Sequence, residues 1–204
     1  MVSRDSLQFL PASLENLTAS LAKVGREYFQ NLYEVVRDVY PETDVEVLER
    51  KGVFCYDYLD SLARLDEPAL PLREAFFTKL GGVKCSPANY AHAQHVWDNF
   101  HCSSLKNYMA FYLLSDVCLL ADVFKAFQNQ FLDKYQLDQA YFVSAPQLAW
   151  NALIKHIDRP IPLITDTEMY RMIQPNIRGG ICHASVRYVL ANNKLMGALY
   201  DPRQ

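Results

Sequence analysis

The sequence predicts a helix-dominated fold with a few strands, a helix-rich member of the α/β class. Three observations carry this. The stretch 103–135, SSLKNYMAFYLLSDVCLLADVFKAFQNQFLDKY, keeps helical periodicity longer than any other part of the chain. Ser13 and Ser86 stand where helix N-caps belong, and Pro87 occupies the first helical position after Ser86. Residues 181–188 alternate as a strand does, after Gly179 and Gly180 break the helix before them.

Taken in order, DSLQFLPASL (5–14) reads as a strand or extended piece leading into a helix that Ser13 caps. Residues 26–40 mix aromatic and charged residues, helical or loop-like, and stop near Pro41. VEVLER (45–50) is a short helix. KGVFCYDYLDS (51–61) is aromatic and alternating, and DEPALPL (66–72) is a proline-broken loop. SPANYAHAQHVWDNF (86–100) is a helix with Tyr90 and Trp97 on one face. After the long helix come a further helix near 146–157 and a short one over 165–175, with acids in its first turn. A boundary near 136–145 divides the chain into 1–136 and 137–204.

The totals narrow the function. The chain has 204 residues, half of them hydrophobic, with 13 tyrosines, 11 phenylalanines and only seven glycines. That is enough apolar material for a sizeable core and little for a glycine-rich phosphate cradle. The formal net charge of −3 provides no global basic field for nucleic acid, so any such contact must be local. Five widely spaced cysteines without a CxxC pair fit a reduced, intracellular chain. The sequence does not distinguish nucleus from cytoplasm. No apolar run is long enough to cross a bilayer, so no membrane partner is expected. His92, His95, His101 and Cys102 lack zinc-site spacing, and His92 and His95 fall opposite Tyr90 and Trp97, facing water.

One residue stands out. An α-helix turns about 100° per residue. On that wheel Tyr112, Leu113, Leu119, Leu120, Val123 and Phe127 lie within roughly 60° of Asp116. Asp116 is therefore expected in the buried stripe, and Asp122 on the wet face near Lys125 and Asn129. A carboxylate aimed at a core needs compensation: a cation, a metal, hydrogen-bond donors or a raised pKa. It is either a satisfied buried acid, capping a neighbouring element, or a metal-binding or catalytic group. Tyr112, one turn earlier, stands beside it. A carboxylate holding a divalent cation beside a hydroxyl that orients water is the chemistry of metal-assisted phosphoryl transfer.

These stretches also occur in a familiar order. DSLQFLPASL (5–14), KGVFCYDYLDS (51–61), YLLSDVCLLADVF (112–124), LDQAYFVSAPQLAWNALIK (137–155), MYRMIQPNIRGGI (169–181) and ALYDP (198–202) together resemble a protein-primed family B DNA polymerase, closest to the Maverick/Polinton transposon type and related to phage and adenovirus enzymes. The resemblance implies the C-terminal part of an RNase H-like 3′–5′ exonuclease domain (1–136). The exonuclease–polymerase connection and the start of the palm would follow (137–204). Tyr112 and Asp116 match the third exonuclease motif, which makes Asp116 a metal-binding carboxylate and gives Tyr112 the nucleophilic water to place. Lys51 matches the lysine that stabilises charge on the scissile phosphate. Ser6 and Leu7 match an element that contacts single-stranded DNA. Arg178, Gly179 and Gly180 match a DNA-contacting element between the two domains, with Ile177 where an aromatic usually stands.

The implied cofactor is Mg²⁺ or Mn²⁺, and the implied partners are a single-stranded primer end, a template and a terminal priming protein. The D-x-E element, the second exonuclease carboxylate element and the polymerase carboxylates are absent. The chain thus reads as a fragment of a DNA-directed DNA polymerase, binding DNA and nucleotide in the full-length enzyme and inactive alone. Missing core strands would leave apolar faces uncovered. The alternative is a non-catalytic helical interaction or scaffold domain.

Overall fold

A computed structural model describes residues 5–177 of the chain. They fall into two compact units, with the division between Asp158 and Arg159. Among the described residues there is no β-strand, only an isolated antiparallel bridge between Thr78 and Val83. The expected helix dominance is present, and the expected sheet is not. The extended piece expected in 5–14 and the alternation of 51–61 contain single 3₁₀ turns at Ser6–Gln8 and Tyr56–Tyr58. In both segments the backbone turns onto a helix instead of finding a partner strand. The strand expected at 181–188 lies outside the described residues.

The first unit is organised around one long helix. Helix α1 is Leu14–Val24, α2 is Gln30–Val39, α3 is Pro87–Asn99, α4 is Leu105–Tyr135 and α5 is Ala145–His156. Three starts are set by serine, as the sequence predicts for Ser13 and Ser86. Ser13 Oγ accepts from Asn16 N–H, Ser86 Oγ from Asn89 N–H and Ser104 Oγ from Asn107 N–H. Helix α4 stops where Gln136 takes a left-handed conformation (φ 52°) and its N–H returns to Leu132 O.

Helices α1 and α2 pack along α4. Phe29, Leu32, Val36, Cys55, Leu105, Leu119 and Leu148 are shielded from solvent. Around Phe111, ring centroids of Tyr40 and Phe100 approach to 4.6 and 4.4 Å, so aromatic packing closes the core between α2, α3 and α4. Cys55, Cys102 and Cys118 are buried free thiols. Residues 137–158 belong to this first unit through buried Gln139, Leu148 and Ala152. The second unit contributes α6 (Thr167–Ile173), whose first turn is capped by Asp166 accepting from Glu168 and Met169 N–H. No helix among the described residues is long and apolar enough to cross a membrane.

The face of α4 differs from the helical wheel. The buried positions are Leu105, Tyr108, Phe111, Tyr112, Ser115, Cys118, Leu119, Asp122 and Val123. Their centre is rotated by roughly 90° from Asp116. Asp122, expected on the wet face, is 1% exposed. Its Oδ1 accepts from Asn31 N–H at 2.9 Å and from Asn31 Nδ2 at 2.8 Å, and its Oδ2 accepts from Leu32 N–H at 3.1 Å. Phe29, the N-cap of α2, has no side-chain oxygen to offer, so Asp122 performs the capping from another helix. The wheel failed because α4 is apolar on two arcs. Leu113 and Val117 on the second arc are more than half exposed.

Candidate functional site

Lys51 follows the short turn Val45–Leu48 in an extended segment laid against α4. Gly52 permits that approach. A Cβ there would sit 3.3 Å from Tyr112 Cδ2, closer than a side chain normally tolerates. Phe54, two residues on, stacks on the Tyr112 ring at 5.3 Å. The segment is thereby fixed against one side of α4, and its lysine reaches two successive turns of that helix.

Lys51 Nζ lies 2.5 Å from Asp116 Oδ2 and donates to the Tyr112 hydroxyl at 3.1 Å. Tyr56 O–H donates to the same Tyr112 oxygen at 2.6 Å. Four residues from two separated stretches therefore form one hydrogen-bonded cluster. Asp116 is not in the middle of the buried stripe, as the wheel had it, but at its margin. Its side chain is 21% exposed and that of Lys51 30%. This is the position for a group that must meet both a core and a ligand.

The two oxygens of Asp116 differ. Oδ2 is neutralised by Lys51, whereas Oδ1 is buried without a hydrogen-bond partner among the described residues. A buried carboxylate oxygen without a donor is costly unless a cation or donor arrives to meet it. The Tyr112 oxygen accepts from Lys51 and Tyr56, and its own proton is directed toward Asp116. Burial pushes the phenol up to about 12, and Asp116 adds to this against the Tyr56 hydrogen bond. At neutral pH Tyr112 is therefore a donor that can orient an oxygen, not a base. Tyr56 is shifted up as well, by burial and by its bond to Tyr112.

The donor set does not hold a divalent metal by itself. Among the described residues no three His, Cys, Asp or Glu side chains come together. Magnesium or manganese needs several oxygen ligands, and Asp116 Oδ1 supplies one. The geometry fits a contributing ligand and does not make a complete metal centre.

Ser6 and Leu7 lie in the 3₁₀ turn that Asp5 caps, with Leu7 57% exposed. Ser6 and Phe9 line a mainly apolar cleft of about 630 Å³ with Val117, Leu120 and Phe124 of α4. The turn thus reaches α4 within about one helical turn of Asp116, without a hydrogen bond to the cluster. Arg178, Gly179 and Gly180 lie outside the described residues. His92 also departs from its expected place. Its Nε2 is buried without a partner in a small cavity lined by Arg50, Gly52, Tyr112 and Ser115, and burial pushes its pKa down to about 4. His95 is exposed. Sequence reasoning passed over Tyr56 and Gly52. The alternation of 51–61 was the available signal, but it gives no spacing rule for a contact made across 56 positions of chain.

A family model described as DNA polymerase type B, organellar and viral, matches residues 87–201, more than half of the chain. The chain belongs to this family of DNA polymerases. No curated protein and no solved structure matches it. Within the matched region lie Tyr112 and Asp116, and outside it lie Lys51 and Tyr56, which the fold brings to them.

Proposed function

We propose that this chain is part of a DNA-directed DNA polymerase of the protein-primed type. In this reading the Lys51–Tyr112–Asp116 cluster derives from a 3′–5′ exonuclease site that receives a single-stranded primer end. The observation that supports this most is the convergence of Lys51 on both Tyr112 and Asp116, with one carboxylate oxygen left without a donor. Each group has a distinct task. Asp116 would contribute one ligand to a divalent cation, and such a cation would supply the charge that makes a phosphodiester attackable. Lys51 stands where negative charge on the phosphate would develop. The Tyr112 hydroxyl would orient an incoming oxygen, and Tyr56 holds the Tyr112 ring and hydroxyl in register.

One carboxylate holds a divalent metal poorly, and the chain alone is expected neither to polymerise nor appreciably to degrade DNA. Template, priming protein and Mg²⁺ or Mn²⁺ belong to the complete system.

Fluorescence anisotropy with a labelled oligothymidylate tests this reading. Binding is expected at low salt, with affinity falling steeply as salt rises. Lys51→Ala is expected to weaken it several-fold. Indifference to the oligonucleotide at low salt, or an unchanged affinity in Lys51→Ala, would leave the cluster without a DNA role and put the scaffold reading ahead.

A further inference from the structure

The sequence between Lys51 and α3 folds a feature that neither the family match nor the cluster accounts for. Residues Thr78–Val83 make a tight hairpin closed by two backbone hydrogen bonds, with Gly82 at φ 61° in its turn. A cleft lies on each side of it. The first, about 260 Å³, starts at the cluster and is lined by Lys51, Tyr56, Tyr112, Lys84 and Asn89, and by the acid Glu15. The second, about 450 Å³, is lined by Arg73, Glu74, Phe77, Lys84 and Cys85. Lys84 and Cys85 are common to both and form the partition between them.

The geometry points to a single-stranded DNA track that runs from the cluster across the hairpin base. Three cations mark its course: Lys51, then Lys84, then Arg73. Two exposed aromatic rings stand between them, Tyr56 at 60% and Phe77 at 37% exposure. Cations alternating with accessible rings are the chemistry of sequence-tolerant single-strand binding, with phosphates on the cations and bases on the ring faces. Lys84 forms no ion pair among the described residues, and the only carboxylate near Arg73 is its neighbour Glu74, at 4.0 Å. Asp57, at the hairpin, accepts from Lys79 N–H at 2.7 Å. Lys84 is thus free to meet a phosphate, whereas Lys51 and Arg73 would exchange Asp116 and Glu74 for one. This inference rests on the proposed function for its direction: the 3′ end lies at Tyr112 and Asp116, and the upstream nucleotides cross Lys84 to reach Phe77 and Arg73.

The test uses the full chain and an oligothymidylate carrying 4-thiothymidine a few nucleotides upstream of its 3′ end. After irradiation, the adduct is mapped by mass spectrometry. The adduct is expected in the peptide spanning Phe77–Cys85. The doubly substituted Arg73→Glu, Lys84→Glu chain is expected to bind at least about tenfold more weakly at low salt and to lose about two from the log–log salt slope. Phe77→Ala is expected to reduce the internal adduct without changing the slope. Both cations are on the surface, and an unchanged thermal melt shows that the substituted chain is folded. Internal adducts elsewhere, or affinity and slope unchanged in the double variant, would overturn the track. If Lys51→Ala still weakens binding in that case, the proposed function stands without the track. If instead the Phe77–Cys85 adduct forms and Lys51→Ala is silent, the proposed function fails and its direction for the strand is lost.

Discussion

At the scale of single residues, two side chains one turn apart on α4 show how burial sets chemistry. Asp116 keeps one oxygen on Lys51 and one without a partner, and Tyr112 keeps its proton because burial raises its pKa to about 12. His92, behind Tyr112 in the small cavity, is held neutral by burial, with Arg50 and His95 adding to the effect. Its folded pKa of about 4 lies below the ordinary 6.5, so the unfolded chain binds the extra proton between these values. Stability is therefore full above about pH 6.5 and is lost as pH falls toward 4. Thermal melts at pH 7 and pH 5 are expected to differ more for the natural chain than for His92→Gln, and an equal difference would remove His92 from the account. The Tyr112–Asp116 pair was legible in the sequence because both groups sit on one helix at fixed spacing. The place of His92 was not, because it depends on Arg50 and Ser115 arriving from other segments.

At the scale of elements, α4 is the support for everything else, and its contacts explain where sequence reading succeeded. Helix starts at Ser13 and Ser86 were legible because a cap is a local interaction over three residues. The orientation of α4 was not. Apolar residues occupy two of its arcs, and the arc that is buried is chosen by α2, whose uncapped N-terminus draws in Asp122. Periodicity alone cannot weigh a cap supplied from 90 positions away. Asp122→Ala removes three hydrogen bonds to a charged acceptor and leaves two buried N–H groups unmet. It is expected to cost about 2–4 kcal/mol in urea denaturation, with Asp122→Asn costing less. A loss below about 0.5 kcal/mol would show that α2 is held by packing alone.

At the scale of the whole molecule, the second apolar arc of α4 is the main departure from a self-sufficient domain. Leu113, Val117 and Leu120 are exposed in a row, and the cleft of about 630 Å³ beside them is mainly apolar. Such a surface favours self-association. Size-exclusion chromatography is expected to show a concentration-dependent shift to larger species, reduced in Val117→Glu. A monomeric elution at all concentrations would show that the arc is harmless. The helix-rich character and the polymerase family were both legible. The strands of an α/β class, expected from the residues and from the resemblance, are not found among the described residues, and the strand expected at 181–188 lies outside them.

The proposed site sets the Lys51–Tyr112–Asp116 cluster, through its partly exposed lysine and carboxylate side chains, beside a DNA end. An oligothymidylate with 4-thiothymidine at its 3′ terminus, irradiated with the chain, measures this most directly. The account predicts an adduct on the peptide carrying Tyr56 or Tyr112, diminished in Lys51→Ala. An adduct confined to peptides that lack both tyrosines would contradict it.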